Sequence, residues 1–171
     1  ATAVFSGDIP PAITFLNPDK TFEQTADSLR DFIIALDKEK ADHLRYKVVD
    51  DAVKIFITPY RTTITDKDLE FSQGDYNVEL VLALNVENSE SIDTALTAHG
   101  KILHDATVVA ITAGDVKSGL GSVDWHESNA SGVSEMVVEL LDDLKTPKVT
   151  LDEQMATALL TGIVAVTERF S

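Results

Sequence analysis

The residues best equipped for chemistry stand together at Asp124-Trp125-His126-Glu127. Carboxylate oxygens and an imidazole nitrogen suit manganese or zinc, so this run is a candidate metal-ligand set. Neighbouring residues on a strand or loop point different ways, however, which makes an ordinary surface loop the plainer expectation. The other histidines are His43, His99 and His104. His99 falls on an apolar helical stripe, where packing or surface placement is the plainer role. His104 falls where a helix should turn into a strand. Gly119-Leu120-Gly121 is a lone G-x-G without a third glycine or a following helix, and it reads as a turn. No G-x-x-x-x-G-K-S/T, no G-x-S-x-G and no H-E-x-x-H occurs. The chain contains no cysteine, which excludes disulfides and thiolate metal sites.

The elements that must position these groups alternate between strand and helix signals. Thr2–Phe5 is a short apolar opening, closed by Ser6-Gly7-Asp8 and by Pro10-Pro11. Thr21-Phe22-Glu23-Gln24 has the spacing of a capping box. Phe32–Leu36 reads as a strand, although Leu29, Phe32, Ile33 and Leu36 also fit a helical face. Tyr46, Val48, Val53, Ile55 and Ile57 alternate around Asp50-Asp51 and predict a β-hairpin over Leu44–Thr58, ended by Pro59. Thr62–Asn77 is polar and reads as a loop or a short helical turn. Val78–Val86 is a near-continuous apolar run, as expected of a strand buried on both faces. Ser89–Leu103 has helical spacing through Ile92, Ala95, Leu96 and His99, and Ala106–Ile111 is a second buried strand. Val133, Met136, Val137, Leu140 and Leu141 form one stripe of a helix over Ser131–Leu144. Lys145-Thr146-Pro147-Lys148 breaks it, and Thr150 with Glu153 is placed to cap a final helix reaching Val166.

That order predicts an α/β class, a three-layer domain with a largely parallel sheet and an inserted β-hairpin. With 171 residues the chain is expected to be one domain with a real core. Hydrophobic content of 44% and charged content of 25% describe a globular chain, not a disordered one. No apolar run approaches the ~20 residues of a membrane span. The opening has no basic segment of a signal peptide, so a cytoplasmic location is the default expectation. The net charge is −15, a field that repels phosphate-rich polymers and argues against long nucleic acid as a partner.

Four segments together carry a family resemblance. Ala156–Phe170 reads ATALLTGIVAVTERF and resembles the closing helix of the first domain of DHH-family phosphoesterases, roughly ATALYTGIxxDTGxF. Glu79–Asn85, ELVLALN, is similar to the family strand DLVIVLD. Val108–Gly114, VVAITAG, stands where the family has VVNIDHH. Ala130–Leu141, ASGVSEMVVELL, is similar to ASSTAEIVYELL, and the opening VFSGDIPPAITFL is similar to the family's second strand followed by PxxLxFL. The resemblance covers most of the chain outside the hairpin region. It implies kinship with nanoRNases, oligoribonucleases and exopolyphosphatase-like proteins, limited to the first, DHH, domain. By this alignment the family's first motif, a His and two Asp, lies upstream of Ala1, and its substrate-binding domain lies beyond the end.

What the resemblance implies for chemistry is a loss. The family's metal positions become Asn85, Thr112, Ala113, Gly114 and Val166, a carbonyl, a hydroxyl and three groups with no ligand atom. Clustered carboxylates without cations repel, at a cost of several kcal/mol when desolvated, and neutral replacements relieve that together. The expectation is therefore a pseudoenzyme: a metal-free, cofactor-free nucleotide-binding or scaffold module. Ser131 and Gly132, at the amino end of a helix, are the candidate contacts for a nucleotide or small phosphate, with plain N-capping by Ser131 as the simpler role. A protein partner or a homo-oligomer is the other expected kind of contact, and no membrane is expected. The alternative is an active, manganese-dependent phosphoesterase acting on short oligonucleotides, cyclic dinucleotides or polyphosphate.

Overall fold

The computed structural model describes residues 1–144 and 150–167. The expected break at Lys145–Lys148 and the Glu168-Arg169-Phe170 end of the closing signature lie outside the described residues. The chain divides into two compact units, residues 1–29 with 78–171 and residues 30–77. The class is mixed α/β with parallel sheets.

The first unit is built on three parallel strands: β7 (Leu80–Leu84), β8 (Thr107–Ala113) and β9 (Val123–Glu127), in that spatial order. The register pairs Leu82 with Val109 and Ile111 with Trp125. Side chains of one strand alternate between faces, so Val109, Ile111 and Ala113 share a face. That face carries the core, in which Ile111, Ala113, Ala130 and Met136 are buried and Val109, Trp125 and Val133 pack against them. Met136 comes from helix α3 (Val133–Asp143), whose apolar stripe is the one its sequence spacing predicts. Helix α4 (Glu153–Val166) packs on α3. Its cap is Asp152, which accepts from the Met155 N–H at 2.7 Å, rather than the expected Thr150 pair. The helical stretch 89–103 is shorter-grained than its periodicity suggests: a 3₁₀ turn at Ser89–Ser91, then α1 (Thr94–Thr97) and α2 (Lys101–Asp105). Asn88 and Asp93 each cap a turn through a side-chain oxygen and so divide the segment. Among the described residues no helix is long and apolar enough to cross a membrane.

Two early expectations are corrected. Thr21–Gln24 starts no helix. Phe22–Glu23 is instead a short strand, β2, running parallel to β1 (Ala3–Val4), and the rings of Phe5 and Phe22 lie 5.8 Å apart beside the pair. The run at 123–127 is no surface loop but β9, because its backbone completes the ladder of β8.

The second unit enlarges the predicted hairpin. β4 (Ala41–Val49) and β5 (Ala52–Pro59) pair antiparallel, and the chain reverses at Asp50-Asp51, where Asp50 takes a left-handed φ of 54°. Aspartate tolerates that region better than most residues. β3 (Arg30–Leu36) pairs with β6 (Leu69–Tyr76). Half of Thr62–Asn77 is thus strand rather than loop, while Asp66–Asp68 forms the short helical turn. The polar, glycine-containing sequence of β6 lacks the alternation that marks a strand, and pairing with β3 supplies what intrinsic preference does not.

Candidate functional site

The carboxyl ends of β7, β8 and β9 converge on one rim of the parallel sheet, the place where open α/β sheets take ligands. Asn85 follows β7 directly and adopts φ 55°, with its N–H donating to the Ile111 carbonyl at 2.8 Å. Thr112 and Ala113 end β8, and Gly114 follows with φ 63°, a value glycine accepts at no steric cost. The register sets Thr112 beside His126 and Ala113 beside Glu127. The sheet therefore sets Asn85, Thr112, Ala113 and Gly114 along one rim, whereas Val166 belongs to the end of α4. Val166 sits over Gly132, where an added Cβ would be 3.0 Å from its Cγ2.

Thr112 is 2% exposed and is the buried polar residue of the described core. Its hydroxyl hydrogen-bonds His126 Nδ1 at 3.1 Å. A buried hydroxyl left alone costs roughly 1–3 kcal/mol, so this partner accounts for a polar residue in an apolar strand. His126 Nε2 is buried and has no hydrogen-bond partner among the described residues. The Asp124–Glu127 run does not converge on a metal. Asp124 accepts from the Gly121 N–H at 3.2 Å, His126 turns to Thr112, and Glu127 accepts from the Asn129 N–H at 2.9 Å. Strand alternation and two tight turns send the three groups apart. Among the described residues no three His, Asp or Glu side chains gather into a cation site.

The remaining histidines are dispersed. His43 lies on β4 opposite Thr58, His99 lies between α1 and α2, and His104 in α2 meets the neighbouring Asp105 at 2.8 Å. Gly121 is a packing glycine at the entry to β9, since a Cβ there would lie 2.5 Å from the Val123 carbonyl oxygen. The G-x-G is thus structural.

The anion contact expected at the amino end of α3 is already occupied from within the chain. Gly132, not Ser131, holds the cap position. The Glu135 carboxylate accepts from the Ser131 N–H at 2.7 Å and from its hydroxyl at 2.8 Å. Those two hydrogen bonds hold the Glu135 carboxyl below its ordinary value. A phosphate arriving here meets a fixed negative charge in the place where the helix would otherwise receive it. The sequence spacing Ser131-x-x-x-Glu135 carried this signal, one residue longer than a capping box. What spacing could not supply was the Thr112–His126 pair, which is set by strand register across 14 residues of sequence.

Comparison with protein-family models, with curated proteins and with solved structures finds no match to this chain.

Proposed function

We propose that this chain is a metal-independent interaction module on a DHH-phosphoesterase-like frame, a degenerate relative rather than a hydrolase. The observation that carries the reading is the internal engagement of the rim. Thr112 is bonded to His126, and Ser131 is bonded to Glu135. The groups nearest to where metals or phosphate would sit are thus committed to one another. Of the two halves of the expectation, nucleotide binding and scaffolding, the second gains support. The rim lacks a cationic side chain among its aligned positions, and Glu135 stands at the helix start.

The test is manganese titration by calorimetry beside hydrolysis of bis(p-nitrophenyl) phosphate. The expected result is no saturable manganese binding, no turnover, and no thermal shift with adenosine monophosphate. Tight binding of a manganese pair with turnover overturns the reading and restores the active phosphoesterase. A saturable shift with the nucleotide alone restores the nucleotide-binding half.

A further inference from the structure

The strand β7 has the sequence of an interior strand and the position of an edge. In the order β7-β8-β9 it has one partner among the described residues. Thr107 N–H donates to the Glu79 carbonyl at 2.9 Å, and Asn85 N–H donates to the Ile111 carbonyl at 2.8 Å. In a parallel pair every second residue faces the partner, so the odd-numbered residues of β7 serve β8. The backbone N–H and C=O groups of Leu80, Leu82 and Leu84 therefore point to the other edge. These three residues are 53%, 55% and 52% exposed. An apolar edge strand without a charge, a proline or a bulge is a template for another strand.

Beside this edge lies a cavity of about 770 Å³, entirely within the first unit. β7 forms one wall, and the segment 1–5, which contains β1, contributes another. That second wall is pinned. Ser6 N–H and its hydroxyl donate to the two carboxylate oxygens of Asp93, each at 2.7 Å, and Asp93 also accepts from the Ala95 N–H at 2.9 Å. Among the described residues Asp93 is the one acidic side chain of the lining, and no Lys or Arg side chain lines the cavity. Glu79 precedes β7, Glu87 and Glu90 follow it, and all three are exposed.

From this geometry we infer that the cavity between β1 and β7 is a strand-acceptor site for an extended apolar segment of a partner polypeptide, flanked by basic residues, added beside β7. Three features choose that occupant. Free backbone donors and acceptors at alternate residues match a strand and nothing rounder. Leucines at those same residues give its side chains an apolar floor. Carboxylates ahead of and behind the strand favour basic flanks. A second copy is the poorer occupant, because it brings a net charge of −15 against −15. The inference rests on the interaction-module reading and names the partner chemistry for it.

The experiment uses the full chain and a blocked synthetic peptide, Lys-Val-Thr-Val-Val-Val-Lys, read by amide hydrogen exchange. At saturation, exchange at Leu80, Leu82 and Leu84 is expected to slow at least about tenfold. The same peptide with Glu flanks is expected to bind at least about tenfold more weakly, and one with proline at its centre not to protect these amides. Leu82→Lys, at a half-exposed position, should abolish protection while keeping the far-ultraviolet spectrum, and Leu160→Lys on α4 should leave it intact. Unchanged exchange with the basic peptide, or equal protection by the Glu-flanked or proline peptide, overturns the inference. So does protection that appears without peptide and grows with a dimer in sedimentation, which makes a second copy the occupant. Failure of the peptide with manganese also unbound rejects the strand site alone. Manganese binding with turnover rejects the interaction-module reading, whatever the peptide does.

Discussion

Thr112 and Asp68 each hold a polar group in place by hydrogen bonds, one in the core and one in a turn. Thr112 is tolerated in an apolar strand because His126 lies one strand away in register. Asp68 ends the 3₁₀ turn Asp66–Asp68 between β5 and β6. It accepts from Lys40 Nζ at 2.6 Å and from both the N–H and the hydroxyl of Thr65 at 2.8 Å. The Lys40 hydrogen bond, then those from Thr65, lowers its pKa to about 2. An unfolded aspartate titrates near 3.9, so the folded value is the depressed one. The stabilisation is then present above about 3.9 and is lost as the pH falls toward about 2. A carbon-detected titration of Asp68 should show a midpoint near 2, and Lys40→Met should move it upward. A midpoint already near 4 in the unaltered protein would mean the hydrogen bonds are not kept in solution.

At the scale of elements, the α3–α4 contact explains the glycine within the closing helix. Gly162 in α4 faces Ser134 in α3, whose side chain fills the space a Cβ would need. Alanine is favoured over glycine in a helix by about 1 kcal/mol. Overpacking at a tight crossing costs typically 1–3 kcal/mol, so the collision is expected to win. Gly162→Ala should therefore lower the urea midpoint with an unchanged slope. A rise in the midpoint would show that α3 gives way and that helix propensity decides. Val166, one turn onward, is 55% exposed and rests over Gly132. Gly162 and Val166 thus both take part in packing against α3 and the residue that caps it.

For the whole molecule, the division into two units has a simple topological basis. Arg30 and Tyr76 are paired across β3 and β6, so the second unit leaves and re-enters the chain at neighbouring points. Insertions with adjacent ends can be removed with little effect on the host. Replacing residues 30–77 by a short Gly-Ser linker should leave the first unit folded. Its amide spectrum should keep the β7–β8–β9 resonances nearly unshifted. Collapse to an unfolded spectrum would show that the second unit is needed for stability. The isolated ribbon is not expected to fold alone, because paired two-stranded segments are marginal in water. Its exposed Leu44, Tyr46, Val48 and Val53 are consistent with that.

The sequence by itself determined the mixed α/β class, the cores of β7, β8 and α3, the hairpin turn at Asp50-Asp51 and the course of α4 as far as Val166. Each rests on local periodicity or on a turn residue, which neighbours in sequence suffice to fix. It did not determine β2, β6 or β9. Their residues are short, polar or mixed, and they become strands because a partner strand takes up their hydrogen bonds. Nor did it reveal that Thr112 would meet His126, and the closing of Glu135 on Ser131 was present in it only as a spacing. Side chains meet across a sheet or around a helix start only once register and helix phase are set. The same holds for β7. Its apolar run predicts a strand covered on both faces, whereas the order of strands sets it at an edge, beside a cavity. Local sequence sets what a strand can be, and only the pairing of distant segments decides which of its edges remains open.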